Sequence, residues 1–179
     1  MMRSREIGDF LRLLKKSPSG AVFNPWWEVD EQNDVGRNAP AIRRNQLRAY
    51  LQKRVGKANV AVIGEAVGYR GGHFSGIPMT SERLLLGRSK RFHIKPRDFF
   101  SDVKPQRTSK PEKSERATGL TVLKVFLELF PCEQVVALGK IAAAQLEELN
   151  VDAHCVRHPA SGGAKLFRQQ IAEVVNKVA

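Results

Sequence analysis

The order of apolar segments is the feature that most constrains how this chain can fold. Short β-branched runs alternate with helical patterns, and in the second half of the chain only a few residues link them. The strand patterns cover 59–63, 134–138 and 153–156, and the helical patterns that follow or separate them cover 120–130, 141–149 and 167–178. Strands that alternate with helices pair in parallel, with helices on both faces. We therefore expect an α/β protein, a three-layer α/β/α sandwich with a short parallel central sheet.

The first half of the chain is less regular. Apolar residues at helical spacing predict a helix from Ile7 to Lys16 and another from Pro40 to Gly56. The glycine-rich residues 64–81 are predicted to form a loop. Residues 88–118 carry many charges with little periodicity, which indicates a disordered or shortened basic segment. Because 179 residues suffice for one core but not comfortably for two, we expect a single domain over residues 1–179.

Positive charge is concentrated in two stretches. The formal net charge is +12, while residues 40–57 contribute +6 and residues 83–116 contribute +7, so the remainder is about neutral. Such concentration is typical of a surface that follows a phosphate backbone, although solvated helix faces and loops also use lysine and arginine. We expect a nucleic acid as the partner, with Arg43 and Arg44 among the contacts.

Several classes of protein do not fit the sequence. No apolar run approaches the roughly 18–20 residues that span a bilayer, and the N-terminus lacks the pattern of a secretion signal. The two cysteines cannot form a four-cysteine metal or iron–sulfur site, and the four histidines have no metal-ligand spacing. We expect a cytoplasmic monomer without a metal, a cofactor or a membrane partner.

Three loops follow the predicted strands and are the expected location of the chemistry. In a parallel sheet, ligands bind beyond the carboxyl ends of the strands. The loops begin at Gly64-Glu65, Gly139-Lys140 and Arg157-His158-Pro159, so a carboxylate and an imidazole leave the same edge. None of the loops has the glycine pattern of a nucleotide-binding loop or the serine elbow of a hydrolase.

Two of these loops resemble the signature motifs of the uracil-DNA glycosylase superfamily. Residues 64–69, Gly-Glu-Ala-Val-Gly-Tyr, resemble the G-E-x-P-G form of the first motif, with Gly-Ile-Pro-Met-Thr-Ser-Glu following at 76–82. Residues 156–159, Val-Arg-His-Pro, resemble the H-P-S motif. The resemblance runs from about Asn24 to the C-terminal helix and implies the fold of that superfamily.

The resemblance also implies an activity, the hydrolysis of the N-glycosidic bond of uracil or another deaminated base in DNA. Glu65 would hold or activate the water, and His158 would donate a hydrogen bond to the departing base. The implied substrate-binding residues are Gly64, Ala66, Gly68, Tyr69, Met79 and Ser81. The resemblance implies single-stranded or damaged duplex DNA as the partner. The implied DNA-binding residues of the second motif are Arg157, Ser161, Gly162 and Gly163.

Departures from the family pattern keep two alternatives open. Ala66 stands where the best-known branch has an aspartate, and Met79 falls near the usual base-stacking phenylalanine. Between Arg88 and Gly119 no counterpart of the base-reading asparagine is evident. One alternative is a non-catalytic DNA-binding protein of the same fold. The other is a small-molecule hydrolase or nucleotide-binding α/β protein whose charges serve RNA binding or solubility.

Overall fold

A computed structural model describes residues 2–16, 23–65, 67, 71–87 and 116–178. The chain divides into two compact units: unit 1 comprises Met1–Val55 and Ala66–Thr118, and unit 2 comprises Gly56–Glu65 and Gly119–Ala179. The single domain expected from chain length stays a prediction. The helices are α1 (Met2–Leu13), α2 (Ala39–Arg54), α3 (Gly72–Ser75), α4 (Glu82–Leu85), α5 (Arg116–Leu129), α6 (Lys140–Glu148) and α7 (Ala164–Val175). The strands are β1 (Val60–Ile63), β2 (Gln134–Leu138) and β3 (His154–Val156).

Unit 2 is built on a three-stranded parallel sheet in the order β1-β2-β3. Its strands lie within one residue of the predicted ones. In the register, Ile63 pairs with Ala137 and Leu138 pairs with Val156. The mixed α/β class with a short parallel sheet is therefore confirmed.

Each face of this sheet is covered by helices because successive strand residues point to opposite sides. On one face, Ala61, Ile63 and Ala137 pack with residues of α5 and α6. On the other, Val136, Leu138 and Val156 pack with Phe167, Ile171 and Val174 of α7. The two apolar clusters hold the strands in place from both sides and so fix where the loops after the strands begin.

Unit 1 is helical. The predicted first helix extends further toward the N-terminus than its apolar pattern indicates, and it buries Ile7, Phe10 and Leu11. Helix α2 begins with Pro40 in its first turn, where the missing N–H costs nothing, and buries Leu47 and Leu51.

The loop predicted over 64–81 is wrong in part, since α3 forms one helical turn within it. The turn ends at Gly76, which is its C-cap with a left-handed φ of 70°. A Cβ at Gly72 would lie 2.7 Å from Cγ1 of Val67, and one at Gly76 would lie 2.6 Å from the carbonyl oxygen of Arg43. Glycine is therefore required by close packing at both positions and also by the positive φ at Gly76, which composition does not reveal. Residues 88–115 of the predicted basic segment lie outside the described residues.

An ion pair is buried at the centre of unit 1. Arg43 Nη1 and Nη2 lie 2.7 and 2.9 Å from the two carboxylate oxygens of Asp34, and both side chains are 0% exposed. Arg43 also donates to the carbonyl oxygens of Pro25 and Glu28. These bonds attach the irregular segment between α1 and α2 to α2.

No helix in the described part of the chain is long and apolar enough to cross a bilayer.

Removal of the Asp34 carboxylate is expected to destabilise the protein by about 3–5 kcal/mol, because Arg43 would remain buried without a counter-charge. Urea unfolding of Asp34→Ala measures this loss. Asp9→Ala is the matched control, since the Asp9–Arg12 pair is exposed and is expected to cost less than about 1 kcal/mol. Equal losses of unfolding free energy in the two variants would show that the buried ion pair contributes no more to stability than the exposed one.

Candidate active site

Glu65 and His158 leave the same edge of the sheet in unit 2. Glu65 follows Ile63 by two residues and His158 follows Val156 by two, so in the register they stand level with Gly139 and Lys140 respectively. Because β2 lies between β1 and β3, about 10 Å separates the two outer strands. Both side chains are exposed. The sheet therefore places a carboxylate and an imidazole on either side of the end of β2.

The ring of His158 is held in one tautomer. The backbone N–H of Ala160 donates to Nδ1 of His158 at 3.1 Å. A neutral imidazole that accepts at Nδ1 carries its proton at Nε2. His158 therefore presents an N–H donor, rather than an acceptor, away from its own loop.

The loop after β3 is fixed at both ends. The backbone N–H of Arg157 donates to Oε1 of Gln170 on α7 at 2.7 Å, and that of Gly163 donates to the carbonyl oxygen of Ala160 at 3.1 Å. Between them, Ser161 and Gly162 have positive φ values of 52° and 78°. The short turn that results returns the chain to the start of α7.

Gly163 is buried beneath this turn, and its lack of a side chain is required. A Cβ there would overlap the carbonyl oxygen of His158 and lie 2.9 Å from Cγ of Arg157. The predicted role of Gly163 in DNA binding stays a prediction. Its observed role is to let the His158 loop pack onto the start of α7.

Gly139 supports His158 from the neighbouring strand. Its N–H donates to the carbonyl oxygen of Val156 at 2.9 Å, and its φ is +83°. A Cβ at Gly139 would lie 3.7 Å from Cβ of His158, so a larger side chain there would occupy space next to the histidine.

Lys140 is a residue to which the sequence assigned no role. It is exposed and begins α6 at the end of the central strand, between the loops of Glu65 and His158. Neither α6 nor α7 has an acidic residue in its first turn, and Arg157 and Lys165 are also exposed. Helix N-termini carry partial positive charge. The edge of the sheet around Glu65 is therefore positive, because of these exposed side chains and the two helix N-termini. Such an edge is suited to stabilising an anion.

Other predicted site residues belong to unit 1 or are not described. Ala66, Gly68 and Tyr69 lie outside the described residues, and Gly64 is half-buried immediately before Glu65. In unit 1, Met79 is 52% exposed with a left-handed φ of 58°. Ser81 is the N-cap of α4, and its Oγ accepts from the N–H of Leu84 at 3.3 Å. Their roles in binding a base stay predictions.

The two arginines predicted to bind DNA differ in their surroundings. Arg43 is fully buried and paired with Asp34, so the expectation that it contacts DNA is corrected: it is a structural residue. Arg44 is half-buried, donates to the carbonyl oxygen of Trp26 and stacks on Trp27. Burial first, then the charges of Arg48 and Arg43, lower the pKa of Arg44.

The part of the chain that the structure describes contains no group of three histidine, cysteine, aspartate or glutamate side chains that could hold a metal ion. No protein-family model matches the chain, and no curated protein matches it. What the site does must therefore be argued from its own residues.

Substitution of Gly163 is expected to disturb His158. Gly163→Ala should lower the free energy of unfolding by about 1–3 kcal/mol, because the loop must shift to relieve the overlap. The proton on His158 should then distribute over both ring nitrogens, which side-chain ¹⁵N NMR detects.

Gly162→Ala is the matched control for this change. A Cβ at Gly162 meets nothing within 4 Å, so only the cost of the positive φ applies, about 1 kcal/mol. We expect the tautomer of His158 to be retained. An unchanged tautomer in Gly163→Ala would contradict the proposed packing role.

Proposed function

We propose that the chain is a DNA glycosylase that hydrolyses the N-glycosidic bond of uracil or another deaminated base, with the three-layer fold of the uracil-DNA glycosylase superfamily. The observation that carries the proposal is that Glu65 and His158 leave the same edge of a parallel sheet, with the donor nitrogen of His158 fixed by the N–H of Ala160. The helices on both faces of the sheet support the fold assignment, and the two motifs support the reaction.

The proposed reaction adds water across one bond. The C–N bond between C1′ of the deoxyribose and the base breaks, and its electron pair leaves with the base. The oxygen of a water forms the new bond to C1′, while the Glu65 carboxylate orients that water and takes up its proton. The departing base becomes an anion whose charge is shared between the ring nitrogen of the broken bond and the exocyclic carbonyl oxygens.

His158 stabilises this anion as charge develops. Its Nε2–H donates to a base oxygen, and the hydrogen bond strengthens as the C–N bond breaks. Because Ala160 already fixes the tautomer, no reorganisation of the ring is needed during the reaction. The positive edge formed by Lys140, Arg157 and the starts of α6 and α7 adds a favourable potential for the same anion.

The proposal is tested with labelled oligonucleotides that contain uracil, hypoxanthine or xanthine, as single strands and as mismatched duplexes. Excision is read as strand cleavage after alkali. Glu65→Gln and His158→Gln are each expected to lower the single-turnover rate by about 10²–10³-fold, because each removes a group that acts only in the transition state.

Glu133→Gln is the matched carboxylate control. Glu133 is exposed and lies just before β2, at the amino end of the strand, so its loss should leave the rate within twofold. Excision that survives in both site variants would exclude the assigned roles. If the protein excises none of the bases yet binds the same DNA in a salt-sensitive manner, it is a non-catalytic DNA-binding protein.

Lys140 is expected to contribute to the rate as well. Lys140→Gln removes a charge at the centre of the sheet edge and should lower the single-turnover rate about 10-fold, or about 1.4 kcal/mol. Lys140→Arg should restore most of it. Lys124→Gln, an exposed lysine of α5, is the control. Equal effects of Lys124→Gln and Lys140→Gln would assign the loss to net charge alone.

A further inference from the structure

Unit 1 places two cations against one indole ring and a third beside one of them. The Arg44 guanidinium carbon lies 4.1 Å from the ring centroid of Trp27, and Nζ of Lys15 lies 5.4 Å from the same centroid. Both distances are within the roughly 6 Å range of a cation–π interaction. Arg48 lies one helical turn beyond Arg44 on α2, close enough for its charge to oppose that of Arg44. We call Lys15, Trp27, Arg44 and Arg48 the Trp27 cluster.

The positive charge of the Trp27 cluster is not balanced by nearby acids. Within the described residues, none of its three cations forms an ion pair, and α2 contains no acidic residue. Glu28 is exposed beside Trp27, and its carboxylate accepts the backbone N–H of Asn24 at 2.9 Å. A single carboxylate against three cations leaves the cluster positive.

The burial of Arg43 increases the excess of positive charge at the surface, because Arg43 takes a carboxylate into the interior with it. Two acids before α2, Asp30 and Asp34, are directed inward, whereas Glu31 between them is exposed: Asp34 pairs with Arg43, and Oδ2 of Asp30 lies 3.5 Å from Nε2 of His73. Unit 1 therefore neutralises its interior arginine, whereas within the described residues Lys15, Arg44 and Arg48 have no carboxylate partner. Bringing like charges together costs free energy, which an anion would offset.

We propose that the Trp27 cluster holds the phosphate backbone of a DNA strand through contacts that do not depend on base sequence. A row of cations at one-turn spacing, with a third across an indole face, matches a linear polyanion better than a single small anion. The aromatic ring adds a surface on which a base or sugar can pack. Identification of the polyanion as DNA rests on the proposed function, whereas the surface itself does not.

The cluster is tested by the salt dependence of binding to DNA that contains no removable base. Fluorescence anisotropy with an undamaged single-stranded oligonucleotide gives the dissociation constant across a range of KCl concentrations. The double variant Lys15→Gln with Arg48→Gln should weaken binding at least 10-fold. It should also reduce the magnitude of the log–log salt slope by about 1.4, since each phosphate contact on a single strand contributes about 0.7.

The matched control removes the same amount of charge elsewhere. Lys53 lies nine residues from Arg44, about 2.5 turns round α2 and so on its opposite side, and Lys57 follows the end of that helix. Both are exposed. Lys53→Gln with Lys57→Gln should leave affinity within twofold and the slope unchanged. Equal losses in the two double variants, or no loss in either, would overturn the proposal.

Arg44 requires a different variant because its bonds to Trp26 and Trp27 also serve the fold. Arg44→Lys keeps the charge, so it should retain the salt slope. Circular dichroism and urea unfolding check that each variant is folded. A clear preference for RNA of the same length over DNA would overturn the DNA assignment.

The two proposals fail separately in these measurements. If the wild type excises no base but its DNA affinity depends on Lys15 and Arg48, the proposed function is wrong and the binding surface stands. If excision proceeds normally while affinity is independent of Lys15 and Arg48, the binding surface is wrong and the proposed function stands. At saturating DNA, the Lys15→Gln and Arg48→Gln double variant should keep the single-turnover rate of the wild type.

Discussion

Parallel pairing of three short strands is the constraint on which the candidate site depends. Because β1, β2 and β3 run in one direction, the residues that follow them emerge at one edge although they are far apart in sequence. Glu65 and His158 are separated by 93 positions in the chain (158 − 65) and are brought to the same edge by the register of only a few residue pairs. The apolar clusters on the two faces keep that register, since a slip by one residue would turn each buried side chain outward.

Within that edge, small residues position the reactive ones. Gly163 allows the His158 loop to lie on the start of α7, and Gly139 leaves space beside the His158 side chain. The backbone N–H of Ala160, rather than a second side chain, sets the tautomer. The proposed chemistry therefore needs few polar side chains, and the backbone positions His158.

Much of the fold could be predicted from the sequence, because the β-branched runs and helical periodicity of unit 2 are strong local signals. The strands were predicted within one residue, and the common edge of Glu65 and His158 follows from strand order. The short helix α3 could not be predicted, because a glycine-rich composition indicates a loop and does not show that Gly72 and Gly76 pack closely against Val67 and α2. Such packing depends on residues distant in sequence, which a local pattern does not encode.

The wrong prediction that Arg43 contacts DNA has a different origin. Counting charge treats every arginine in residues 40–57 alike, whereas helical phase distinguishes them. Arg43 lies four and eight residues before Leu47 and Leu51 and so shares their buried face, with Asp34 upstream as its partner. Arg44 is one position further on and turns away from that face. The spacing of Arg43 from Leu47 and Leu51 therefore indicates that Arg43 is buried, which a count of charges does not.

The division of the chain into two units assigns the proposed phosphate contacts of the Trp27 cluster and the proposed proton-handling groups to different units. The chain leaves unit 2 directly after Glu65 and returns at Gly119, so the first motif is shared: its carboxylate belongs to unit 2, and the residues that follow belong to unit 1. The proposed proton-handling groups, Glu65 and His158, are thus carried by the sheet. The proposed phosphate contacts of the Trp27 cluster are carried by helices α1 and α2. If the two units act independently, substitutions in the Trp27 cluster change the affinity for DNA. Substitutions at the sheet edge instead change the rate at which a bound base is excised.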